Sequence, residues 1–96
     1  MMPEGERITE KQLKYLLTLI DKRIKEFGSL KESGREVEIQ EKRLEFLQEL
    51  RIKAKELSKR QASICIDVLT RPMYYTRVYP KFCDFTEYLR NNLGWV

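Results

Sequence analysis

Between residues 13 and 27 the apolar positions are Leu13, Leu16, Leu17, Ile20, Ile24 and Phe27. Spacings of three and four match the turn of an α-helix, so this stretch commits one stripe to a core. Thr9-Glu10-Lys11-Gln12 stands just before it. Thr9 can accept from the Gln12 backbone while the Gln12 side chain reaches back, a capping box that starts the helix. Gly28 is expected to end it, giving a helix over about 9–27. "GSLKESG", residues 28–34, then reads as a flexible connection.

A second helix is expected over about 35–57, with Ile39, Phe46, Leu47, Leu50, Ala54 and Leu57 on its buried face and Val37 and Leu44 widening the stripe. Glu36, Glu38, Glu41, Glu45 and Glu49 fill its first part, and Arg51, Lys53 and Lys55 its end. That order complements the helix dipole, and Glu38–Lys42 and Glu49–Lys53 add pairs one turn apart.

Ser58-Lys59-Arg60-Gln61 repeats the first capping box in type and spacing. The helix behind it, over about 59–70, is apolar at Ala62, Ile64, Cys65, Ile66, Val68 and Leu69, most of its circumference. A helix apolar all round is a buried one, so this third helix is expected to be central. Pro72 stops it. "MYYTRVYPKFC", residues 73–83, mixes aromatics, β-branched residues and Pro80, which suits an extended or irregular crossing segment. Asp84 and Glu87 introduce Phe85, Tyr88, Leu89 and Leu93, a short last helix over about 84–93 closed by Gly94. The pattern predicts an all-α fold of three main helices plus a short C-terminal one. Residues 1–8 are expected to be disordered and 9–96 to form a single helical domain.

A chain of 96 residues supports one core. The net charge of +4 is compatible with an acidic partner without requiring one. No stretch approaches the roughly 20 apolar residues that span a bilayer, and the first residues lack a signal peptide's pattern, so a cytoplasmic protein with no membrane association is expected. Cys65 and Cys83 lack the spacing of a zinc pair and the chain has no histidine, so both read as structural thiols. Tyr74-Tyr75 invites comparison with the paired tyrosine nucleophiles of some DNA-nicking enzymes, but such sites resemble metal centres held by histidines. Neither cysteine has a histidine base, the acids are scattered over a solvated helix face, and no Gly-rich phosphate loop is present. The expectation is a protein with no catalytic residue, no metal and no cofactor.

Two motifs point to a family. Thr9, Gln12, Tyr15, Leu16 and Leu19 spell T-x-x-Q-x-x-Y-L-x-x-L, and Leu57, Ser58, Ala62, Ser63, Ile66, Asp67 and Leu69 spell L-S-x-x-x-A-S-x-x-I-D-x-L. The pair resembles a small helical module that recurs, often as a tail, in phage and archaeal proteins of DNA recombination and processing, including single-strand annealing proteins. The resemblance implies an all-α unit in viral or mobile-element DNA metabolism and attaches no catalytic role to the matching positions. Helix-start chemistry alone also produces such residues. A long charged helix between the halves and an aromatic tail after them depart from the family pattern. Ser63 and Asp67, one turn apart, are expected to form a polar seam against the first helix.

The run from Arg51 to Arg60 holds Arg51, Lys53, Lys55, Lys59 and Arg60 against a single acid, Glu56. Such a cluster at a helix junction suits phosphates, although a solvated helix end answering the dipole has the same composition. Further on, Arg71, Arg77 and Lys81 interleave with Tyr74, Tyr75 and Tyr79, the mixture of cations and stacking surfaces that single-stranded nucleic-acid binders use. Tyrosines also lid small cores. The sequence therefore favours a non-catalytic nucleic-acid-binding module, with single strands favoured over duplex. The alternative is a small regulatory module that grips a larger protein partner through its aromatic C-terminal region, and a homodimer paired through the 35–57 helices is a further reading.

Overall fold

The computed structural model of the chain describes residues 6–71 and 84–95. Thr9 starts the first helix as its sequence predicts. The Gln12 backbone N–H donates to Thr9 Oγ1 at 3.0 Å, and the Thr9 N–H donates to Gln12 Oε1 at 3.2 Å. Ser58 and Gln61 build the same box, at 3.1 and 3.0 Å. The helices are α1 (Glu10–Glu32), α2 (Val37–Lys53), α3 (Lys59–Leu69) and α4 (Phe85–Leu93), with one 3-10 turn, Ala54–Glu56, after α2. No strand occurs among the described residues, and the architecture is all-α.

α1 runs past Gly28 to Glu32, five residues beyond the expected end. Its stripe extends to Leu30, which packs against the core and outweighs the weak helix preference of one glycine. The connection shrinks to residues 33–36, where Gly34 (φ 79°) and Glu36 (φ 42°) take left-handed backbone. α2 has a narrower buried face than expected. Phe46, Leu47 and Leu50 are buried, but Ile39 is 40% exposed and Gln40 takes the inward position at 2%. Gln40 is accommodated by hydrogen bonds: its Nε2 donates to the Arg35 carbonyl at 3.4 Å, and its Oε1 accepts from Arg43 at 3.3 Å.

α1, rather than α3, carries most of the packing between helices: it meets both α2 and α3 extensively, whereas α3 meets α1 and, over a smaller contact, α4. α3 buries Ala62, Cys65, Val68 and Leu69, only half-buries Ile64 and Ile66, and leaves Ser63 and Asp67 in water. Those two polar residues therefore form no seam. Asp67 instead accepts from Arg71 on its own helix face at 3.0 Å. The polar link between the helices comes from Arg23, whose Nε and Nη2 donate to the Leu69 carbonyl at 3.0 and 2.9 Å and whose Nη2 also reaches the Arg71 carbonyl at 2.9 Å. An arginine thus satisfies the orphan carbonyls at the end of α3.

Residues 6–8, expected to be disordered, are laced to the start of α3. The Ile8 N–H donates to the Leu57 carbonyl at 3.0 Å, the Lys59 N–H donates to the Glu6 carbonyl at 2.8 Å, and Ile8 packs against the core. These contacts set the starts of α1 and α3 side by side, and Arg23 joins their later turns, so the two helices run in the same direction. α2 returns antiparallel to α1, with Lys31 near Glu41 and Asp21 near Arg51. α4 closes the core: Phe85 stacks on Phe27 at 5.9 Å and meets Phe46 edge-on at 6.5 Å.

Candidate nucleic-acid interface

Five cations in ten residues look like one patch in sequence, but a helix turns about 100° per residue and sends neighbours to different sides. Arg51 leans toward α1, where its Nε meets Asp21 Oδ1 at 2.8 Å. That hydrogen bond raises the guanidinium's already high pKa. Lys53 turns the other way, 3.2 Å from Glu49 Oε2 and 4.9 Å from the centre of the Trp95 ring. Hydrogen bonding from Lys53, together with the charges of Arg90 and Lys53, lowers the Glu49 pKa against a smaller opposing effect of burial. Lys59 forms an ion pair with Glu6 and lowers that carboxyl's pKa.

Lys55 and Arg60 have no ion partner among the described residues. Arg60 lines a niche with Gln61, Ile64, Asn91 and Gly94, between the start of α3 and the end of α4. The expected patch at residues 51–60 is therefore divided between the α1 side and the α4 side, and acids hold three of its five cations. Arg71 pairs with Asp67 at 3.0 Å. Tyr74, Tyr75, Arg77, Tyr79 and Lys81 lie outside the described residues.

The structure gathers a different set of cations, on α1. Lys11, Lys14, Lys22 and Lys25 are all exposed, and none makes an ion pair with a described residue. At 100° per residue they fall within an arc of about 80° centred on Thr18, and they span about 21 Å along the axis. From Lys11 to Ser29 no acid enters that arc. Two acids flank it, and each is engaged by an arginine: Asp21 by Arg51, and Glu26 by Arg23 at 2.6 Å. Arg51 is thereby brought to the margin of the row. The row escapes a reading of local composition because its lysines are spread over fifteen positions and separated by core leucines and isoleucines. Projecting the solvent face of the first helix would have revealed it.

Comparisons with protein-family models, curated proteins and solved structures return no match for this chain. The reading of this surface therefore rests on its chemistry. Among the described residues no group of three or more histidine, cysteine or acidic side chains is placed to hold a metal ion, and no helix is long and apolar enough to cross a membrane. Cys65 is fully buried, and burial pushes its thiol pKa up to about 12.

Proposed function

We propose that this protein is a non-catalytic, nucleic-acid-associated module that holds a phosphate backbone along the outer face of α1. One observation carries the reading: Lys11, Lys14, Lys22 and Lys25 form a row free of competing acids on the helix that packs against both α2 and α3. A cation already paired with a carboxylate gains little from a phosphate, because the first partner must be displaced. Unpaired lysines in water have no such partner to lose, and each phosphate they neutralise releases condensed counterions from the polyanion. The two Lys pairs, 11 with 14 and 22 with 25, lie about three turns apart along one helix.

Arg51, Lys53 and Lys59 are each held by a carboxylate, Asp21, Glu49 and Glu6 respectively, and Arg60 faces the end of α4, so the 51–60 run adds little to the row. The measurement is a fluorescence-anisotropy titration with labelled oligonucleotides at about 50 and 200 mM salt. Neutralisation of four phosphates gives log K against log salt a slope of about −3 for a single strand and about −4 for a duplex. No binding at the lower salt concentration removes the reading.

A further inference from the structure

The core takes up nearly every aromatic ring among the described residues. Phe27, Phe46 and Phe85 are buried, and Tyr88 and Trp95 pack against the same cluster. Tyr15 is different. It is 50% exposed, and no described residue gives it a hydrogen bond or ring contact. Its neighbours at i+1 and i+4, Leu16 and Leu19, carry the burial on that part of α1. An isolated exposed apolar side chain is ordinary, so exposure alone assigns nothing. Position adds the second observation: Tyr15 sits one turn after Lys11 and two turns before Lys22 on the same side of α1, at the edge of the unpaired lysine row.

We infer that Tyr15 is a stacking platform for one base of a single-stranded nucleic acid whose phosphates follow Lys11, Lys14, Lys22 and Lys25. This rests on the nucleic-acid reading and narrows it to single strands. A lysine row attracts the backbone of either form, because phosphates are exposed in both. A base face is available only in a single strand; in a duplex each face is covered by its neighbours in the stack. A flat ring on the convex surface of a helix can meet an unstacked base, but it cannot enter a duplex stack. Cations that track the backbone beside a ring that takes a base are the pairing by which single strands are held with little sequence preference.

The test uses the full chain, with Tyr15→Ala and Tyr15→Phe, against a single-stranded oligonucleotide and a duplex of equal length. Tyr15→Ala is expected to weaken single-strand binding by roughly 5- to 100-fold and to leave duplex binding within about twofold, since the phosphate contacts persist. Tyr15→Phe keeps the ring and is expected to bind like the wild type. Circular dichroism of each variant shows that α1 is intact. Undiminished single-strand binding by Tyr15→Ala, or an equal loss on both forms, overturns the platform while leaving the lysine row standing. A wild-type chain that binds neither form removes the row and the platform together.

Discussion

Arg43 Nη2 lies 2.6 Å from Asp84 Oδ1, joining the middle of α2 to the residue that caps α4. Both side chains are largely withdrawn from water, at 15% and 19% exposure. The same guanidinium lies over the Phe27 ring at 4.9 Å, while Asp84 also accepts from the Thr86 hydroxyl at 3.1 Å. The pair thus places α4, and with it Phe85, on the core.

Arg43→Ala leaves a partly buried carboxylate without its cation, and a loss of about 2–4 kcal/mol in unfolding free energy is expected. Asp84→Asn keeps an oxygen able to cap α4 and is expected to cost less, about 1–2 kcal/mol. Urea denaturation of both variants checks the order, and an Asp84→Asn variant as stable as the wild type would show that charge contributes nothing beyond the cap.

Gly28 provides a sharper test of where α1 ends. It lies inside the helix, and a Cβ added there would meet nothing within 4 Å. Gly28→Ala is therefore expected to stabilise the protein by about 0.5–1 kcal/mol. Had the helix stopped there with a left-handed glycine, the same substitution would destabilise it. Gly94, with φ 76° at the end of α4, is the internal contrast, and Gly94→Ala is expected to destabilise by about 1 kcal/mol.

Cys65 links burial to pH. Its folded pKa of about 12 lies above the ordinary thiol value of 9.0, so between those two values the unfolded chain releases a proton that the folded chain keeps. Stability is accordingly expected to fall as pH rises through that window, and this contribution is constant below it. In a Cys83→Ser background, a thiol reagent at about pH 8 should leave Cys65 unmodified until denaturant is added. Rapid modification of the native protein would show the side chain to be accessible.

How much of this was legible in the sequence depends on range. Both capping boxes could be read because Thr9 with Gln12, and Ser58 with Gln61, are three residues apart and their chemistry is local. The all-α class followed from periodicity. The end of α1 did not, since Leu30 reaches the core two positions past a glycine that reads as a stop. α3 appeared central because Ile64 and Ile66 were counted with its buried residues, although each is only half covered and Ser63 and Asp67 keep a strip in water. The site was the least legible part. Asp21 and Glu6 neutralise Arg51 and Lys59 from 30 and 53 residues away, pairings that no window of composition contains. The row on α1, conversely, emerges only when the solvent face of a helix is separated from its core face.

The central claim is that the α1 row, rather than the run at residues 51–60, carries the electrostatic binding. The most direct measurement compares salt slopes for a single-stranded oligonucleotide between the wild type, a Lys11→Gln/Lys14→Gln/Lys22→Gln/Lys25→Gln variant and a Lys53→Gln/Lys55→Gln/Lys59→Gln variant. Removing the row should flatten the slope by about 3, toward zero, while the second variant changes it by less than about 1. A slope that survives loss of the four α1 lysines and collapses in the second variant would contradict the account.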